Sequence, residues 1–313
     1  MIMKKLFLLL LMLAGLQLSA QITINIKPSH TDFMKYDAVR LRIYLKNYSS
    51  MPITFGQNKQ LRGNLDFIIY HKGRRLVTRY SDKDTILSGL ILKPGETRTF
   101  AIDLANFYPL QQLGDYTVTA ILTHPKFTAR YRSNETTFRI GEGSDYWTRT
   151  FGIPDYTGKR GLSDKIPTRS YNVKIFNNGV AKIYFLTVED NDKVYAVKRL
   201  GFDLGSEYRP ELIVDSTARF HAMLHVNPKV FIYYRYNFNG QLEKRQVYMR
   251  TTTKPLLVVN PTNGSVIVDG GRVAVKDTDY EEIKDLPFMD YIDEEKPNDE
   301  NSFGTFEDFR DNK

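Results

Sequence analysis

His221 and His225 stand four residues apart in FHAMLHV. On a helix that spacing puts two imidazoles on one face, half of a zinc site. Ala222 occupies the position where H-E-x-x-H carries its general-base glutamate, so the metalloprotease pattern is broken. On a strand the two side chains share a face about 13 Å apart, at ~3.3 Å rise per residue, too far to ligate one ion. The strand reading is preferred, and both histidines are read as structural. Glu189, Asp190 and Asp192 in VEDNDKV are hard oxygen ligands of the kind calcium takes, but the EF-hand spacing is absent and the cluster reads first as a polar turn between strands. No G-x-S-x-G, G-x-G-x-x-G or G-x-x-x-x-G-K-[ST] occurs. The chain has no cysteine, which removes thiol nucleophiles, thiolate zinc sites and iron–sulfur clusters. No catalytic residue, cofactor site or metal site is assigned, and the chain is read as a non-enzyme.

Basic residues recur beside aromatic ones. Arg74, Arg75 and Arg79 lie in GRRLVTRY, Arg130 and Arg132 in FTARYRSN, and Tyr234, Arg235 and Tyr236 in YYRYNFNG. If they share a face, they make a surface for polyanions or sugars, with Trp147 either an exposed aromatic platform or packed against a domain face. Alternation puts Tyr234 and Tyr236 on one side of a strand and Tyr233 on the other. The competing reading is scattered strand-edge charge that blocks edge-to-edge aggregation.

The elements that must position these residues are strands. Residues 22–140 contain ITINIK, AVRLRIYLKN, LDFIIYHKG, ETRTFAIDL and DYTVTAIL, separated by turn residues at all-β spacing. Lys72-Gly73 predicts a hairpin, and Lys93-Pro94-Gly95 a turn with Pro fixing φ and Gly taking φ > 0. In LQQLGDYTVTAIL, Gln112, Gly114, Tyr116 and Val118 resemble the D-x-G-x-Y-x-C corner of immunoglobulin-type domains, in which the tyrosine hydroxyl caps a turn. Gln112 stands for the aspartate and Val118 for the cysteine, so no disulfide is implied. The longer segment LKPGETRTFAIDL through LGDYTVTAIL is similar to bacterial Ig-like and fibronectin-III-like modules. With LKNYSSMPITF and LDFIIYHKGRRL before it, it resembles in outline the BsuPI-type proteinase-inhibitor domain. The resemblance covers about a third of the chain and implies sandwich topology more than function.

Residues 143–169, rich in Gly, Pro, Ser and Asp, read as a linker. Strands resume over 170–276, where Asn178-Gly179, Asn239-Gly240 and Asn263-Gly264 predict hairpins. The fold expected is all-β: two tandem β-sandwich domains, an Ig-like one over 21–142 and a second sandwich or small open barrel over 170–276.

The ends carry address and charge. Lys4 and Lys5 precede the apolar run Leu6–Leu13, and Leu18-Ser19-Ala20 ends in small residues, a signal peptide over 1–20 with cleavage before Gln21. Its SAQ ending resembles signal peptides of Bacteroidota, and DTI at Asp84 and DST at Asp215 resemble their O-glycosylation pattern. No other stretch is apolar enough to span a membrane. From Asp277 there are 14 acidic and 4 basic residues, so a net −10 tail follows a +18 body in a chain of net +8. Residues 277–313 predict a disordered acidic tail. Phe288, Tyr291, Phe303, Phe306 and Phe309 interrupt the acid at intervals that suit docking onto a partner.

The sequence therefore reads as a non-catalytic binding or assembly protein of the bacterial cell envelope, exported to the periplasm or cell surface. It would engage a protein partner through sandwich surfaces and tail. The alternatives are a glycan, lipopolysaccharide or anionic-surface binder using the basic aromatic face, and a proteinase inhibitor. Nucleic acid is not an expected partner outside the cytoplasm.

Overall fold

A computed structural model describes residues 21–80, 86–155, 158, 161 and 165–281. Residues 1–20, read as a signal peptide, Asp84, and the C-terminal residues Phe288, Tyr291, Phe303, Phe306 and Phe309 lie outside the described residues. Among the described residues no helix is long and apolar enough to cross a membrane.

The first half holds β1 (Ile22–Pro28), β2 (Asp32–Met34), β3 (Arg40–Asn47), β4 (Ile53–Thr54), β5 (Asn64–His71), β6 (Arg75–Leu76), β7 (Ile91–Leu92), β8 (Thr97–Asp103), β9 (Gly114–Thr123) and β10 (Tyr131–Gly141). Period-two patterning dictates their packing. In RLRIYLKN of β3, Leu41, Ile43 and Leu45 are buried while Arg40, Arg42 and Tyr44 are less so. The sheet β1-β3-β8 faces the sheet β2-β10-β9-β5-β6 across one core containing Ile24, Leu41, Leu65, Tyr116 and Val118. Most pairings are antiparallel, but β2 runs parallel to β10. The Tyr116 hydroxyl donates to the Gln112 carbonyl at 2.8 Å, so GDYTVTAIL does build the turn-capping corner.

The second half holds β11 (Ser144–Gly152), β12 (Thr168–Asn177), β13 (Lys182–Glu189), β14 (Val194–Phe202), β15 (Glu211–Val214), β16 (Phe220–His225), β17 (Val230–Tyr236), β18 (Leu242–Met249), β19 (Leu256–Val259), β20 (Val266–Asp269) and β21 (Arg272–Val273). Two meanders, β11-β12-β13-β14 and β15-β16-β17-β18-β21, pack face to face around Tyr171, Leu186, Phe220, Ile232, Tyr234 and Tyr236. This is a sandwich, not the small barrel held as the other option. The hairpin β19–β20 covers the outer face of the second meander, where Leu257 and Val268 pack on Met223, Phe231 and Tyr233.

Three features differ from expectation. The segment read as a linker contains β11, paired with β12 from Ser144↔Ile175 to Gly152↔Thr168. It is an edge strand with a bulge between Asp145 and Trp147, which breaks the alternation a sequence reader looks for. Only Glu142 and Gly143 separate it from β10. A Cβ on Gly143 would meet the Ile175 carbonyl oxygen at 2.9 Å, so that junction admits no side chain.

The tail boundary also moves. Residues 277–281 fold against the body: Arg272 donates twice to the Asp279 carboxylate at 2.6 Å, and Tyr280 packs on the second core. The Arg272 guanidinium and the Val275 N–H hold Asp279 down at about 2. Acidic composition predicts disorder only where no cation waits in the fold.

The Asn-Gly turns are present, but by another device. Gly179, Gly240 and Gly264 take φ of 88°, 75° and 67°, whereas their asparagines are absent from the positive-φ residues. The loops exceed two residues, and asparagine carbonyls tie them: Asn178 Oδ1 accepts from the Val180 and Ala181 N–H groups. The paired left-handed conformation appears instead at Lys72 (51°) and Gly73 (66°).

The halves meet through Arg199, whose Nε and Nη2 donate to Asp37 Oδ2 at 3.1 and 2.7 Å. Met34 completes a small cluster with Phe176, Ile183 and Phe185 beside this pair.

Candidate functional site

The sequence-selected basic residues do not form one face. Arg74 and Arg75 are exposed at the β5–β6 turn, with Arg75 donating to Gln112 Oε1. Arg132 lies on β10 across from Ile121, which pairs with Asp66, and Arg130 lies exposed just before that strand. Arg75 pairs with His71, five residues further along β5, which is about 17 Å at strand rise. Arg79 is no free cation: its side chain is 7% exposed, sits over the Phe107 ring and donates to Asp66 at 2.8 Å. Tyr234 and Tyr236 are 0% and 3% exposed core residues and make no platform. Alternation had already put them on one face, and that face is the inner one. Trp147 packs on Phe220 at 5.7 Å between ring centroids. Arg235 lines a cleft, together with Asp215 and with His221, which the sequence reads as structural.

That cleft, of about 330 Å³, lies on the outer face of the second meander. Its floor is β16 and β17, where His221 pairs with Arg235 across the ladder. One wall is the β15–β16 turn, Asp215 to Arg219, closed by the Asp215 N–H on the Arg219 carbonyl. The other is Asn263 to Val266, at the tip of the β19–β20 hairpin. The walls are tied by the Ser216 hydroxyl, which donates to the Asn263 carbonyl at 2.9 Å. Gly264 permits that approach, since a Cβ there would meet Ser216 Cβ at 2.8 Å.

At the base, His221 is fully held. Its Nε2 is 3.1 Å from Asp215 Oδ2 and its Nδ1 is 2.8 Å from the Tyr233 hydroxyl. Burial would raise the Asp215 carboxyl. The Arg219 and Thr217 N–H groups, the Thr217 hydroxyl and His221 together outweigh it and hold the group below its ordinary value. An ionised Asp215 makes Nε2 the proton donor and leaves Nδ1 to accept from Tyr233, the neutral imidazole. Burial pushes His221 down against the pull of Asp215, with the Arg235 and Arg219 charges acting in the same direction as burial. Burial pushes the Tyr233 hydroxyl up to about 12, so it stays a donor. Both ring nitrogens are spent on structural partners. No serine or threonine hydroxyl takes one, as a general-base histidine activating a nucleophile requires. The missed signal was short: Asp215 lies six residues before His221, across a turn that brings it back to the strand.

A pH dependence follows. The unfolded chain protonates His221 near 6.5 and the folded one resists until lower pH, so the stabilisation is complete above 6.5 and lost as pH falls through the folded value. His225 adds the same sign, lowered by burial and then by the Lys254 charge. Urea unfolding at stepped pH should show stability falling below 6.5, by at most about 1.4 kcal/mol per pH unit for one histidine. H221Q should make that slope shallower, and an unchanged slope would contradict the clamp.

Two guanidiniums that line the cleft share one carboxylate. Arg219 Nε donates to Glu243 Oε2 at 2.8 Å and its Nη1 to Thr217. Arg235 Nε lies 3.0 Å from the same oxygen but without hydrogen-bond geometry. Elsewhere, Asp190 accepts from Asp192 N, Lys193 N and the Tyr195 hydroxyl, so VEDNDKV is a tied turn. No group of three metal-ligating side chains converges among the described residues.

The sequence matches no family model and no curated protein. Among solved structures, 58% of the chain aligns with 91% of Spo0M, a sporulation control protein from Bacillus subtilis, at 10% identity and TM-score 0.25. A likeness at that level carries no argument, and the fold stands on the strand pairings above.

Proposed function

We propose that this chain is an exported, non-catalytic binding or assembly protein of the bacterial cell envelope, engaging a protein partner through its β-sandwich surfaces and its C-terminal segment. One observation carries the reading. The two-stranded sheet β19–β20 turns Leu256, Val258, Val259 and Ile267 to solvent, with Ile267 54% exposed, and pairs with no third strand among the described residues; Glu211 takes the Leu257 N–H on the β19 side, which leaves the β20 edge for a partner. An exposed aliphatic ribbon with open ladder groups is what an added partner strand recognises. The acidic-aromatic sequence follows directly after Glu281, in the same half of the chain. The Ig-like reading of the first half belongs to this proposal too, supported by the Tyr116 corner and the parallel β2–β10 pairing.

The test is capture from native envelope by three baits: the mature chain, V258D/I267D, and a chain ending at Glu281. The cut falls after Glu281 because residues 277–281 pack on the body. A defined protein held by the first bait and lost with either of the others is expected. Capture indifferent to both changes, or the chain found in the cytoplasm with residues 1–20 attached, would overturn the proposal.

A further inference from the structure

The cleft at Asp215–Val266 has a chemistry that a strand-docking role does not use. Asp215 spends its charge inward: Oδ1 accepts from Thr217 N, Thr217 Oγ1 and Arg219 N, Oδ2 faces His221, and the side chain is 7% exposed. Glu243 is hydrogen-bonded to Arg219. Arg235 is left with a guanidinium, 36% exposed, that makes no hydrogen bond among the described residues. Arg219 Nη2 is likewise unengaged there. What the cleft presents outward is therefore a pair of planar cations whose one shared counter-ion cannot satisfy both. Beside them, Asn263 Nδ2 and Ser265 Oγ have no partner among the described residues, and Val266 supplies an apolar patch.

We propose that this cleft binds an acidic sugar, with the ligand carboxylate on Arg235 and Arg219 and ring hydroxyls on Asn263 and Ser265. A guanidinium fork matches a planar carboxylate in two parallel hydrogen bonds. A volume of about 330 Å³ lies at the small end of ligand sites. It exceeds what an inorganic anion fills and suits a single hydroxylated ring. Val266 takes the C–H face of that ring. The one ring among the lining residues, His221, is 1% exposed and held at both nitrogens, so no aromatic face is free to stack a base, which argues against a nucleotide. The inference goes beyond the protein-partner reading, and neither depends on the other.

The experiment is calorimetric titration of the full mature chain with galacturonate, galactose and sulfate. Saturable binding of galacturonate is expected, with galactose at least tenfold weaker and sulfate a poor competitor. R235Q should weaken galacturonate at least tenfold with the melting temperature little changed, because among the described residues its guanidinium makes a part-exposed ion pair with Glu243 and no hydrogen bond. E243Q should bind more tightly, since it removes the internal competitor for both arginines; a general loss of structure cannot produce that gain. Equal affinity for galactose, competition by sulfate as strong as galacturonate itself, full binding by R235Q, no tightening in E243Q, or no saturation at tens of millimolar would each overturn the assignment.

Discussion

Tyr234→Ala should destabilise the second sandwich by about 3–5 kcal/mol, the range for removing a large aromatic side chain from a packed core. Tyr234 is fully buried. Its ring stacks on Tyr236 at 5.9 Å, and the residue opposite on β16 is Ala222, too small to fill the space left behind. Neighbours in two sheets would have to collapse together, which β-ladders resist. Urea unfolding followed by fluorescence and circular dichroism checks it. A loss below about 1 kcal/mol, the range for an exposed position, would return Tyr234 to the surface and revive an aromatic platform. The distinction bears on function, because a lost binding activity in Y234A would report unfolding rather than a missing contact.

Asp37→Ala should weaken the junction between the halves by about 1–3 kcal/mol, since removing one partner of a partly buried, hydrogen-bonded ion pair strands the remaining charge. The Asp37 and Arg199 side chains are 12% and 15% exposed. The guanidinium lies 5.9 Å from the Phe185 ring centroid. The double variant D37A/R199A should lose less than the two single variants added together, because it leaves no orphan charge. Denaturant melts of all four proteins measure this. Strict additivity would mean that the pair does not couple the halves. If it does couple them, D37A should also separate one unfolding transition into two.

Much of the fold was legible because strands write their burial into alternate residues. RLRIYLKN and GDYTVTAIL announce their inner faces, and Tyr116 announces its corner. Strand β11 was not legible, because a bulge and a solvent-facing edge erase the alternation over SDYWTRTFG. Residues 277–281 are not legible for a different reason. Composition counts their acid but not the Arg272 that receives it.

The candidate site divides in the same way. Arg235 was selected from sequence for its neighbours Tyr234 and Tyr236, which point into the core and contribute nothing to the cleft. Its actual companions, Arg219, Glu243, Asn263 and Ser265, come from three separate turns and strands. His221 was read as one of a pair with His225, whereas its partners are Asp215 and Tyr233.

By itself the sequence determined the all-β class, the charge division between body and C-terminal segment, and the absence of cysteine chemistry. These are local or summed properties, and each residue carries its share of them. Only the tertiary structure decided which cations remain unsatisfied and which aromatics are walls rather than surfaces. Those outcomes depend on cross-strand register and on a hairpin tip docking on a distant turn. Both are set by pairings between residues far apart in the chain, which no local pattern encodes.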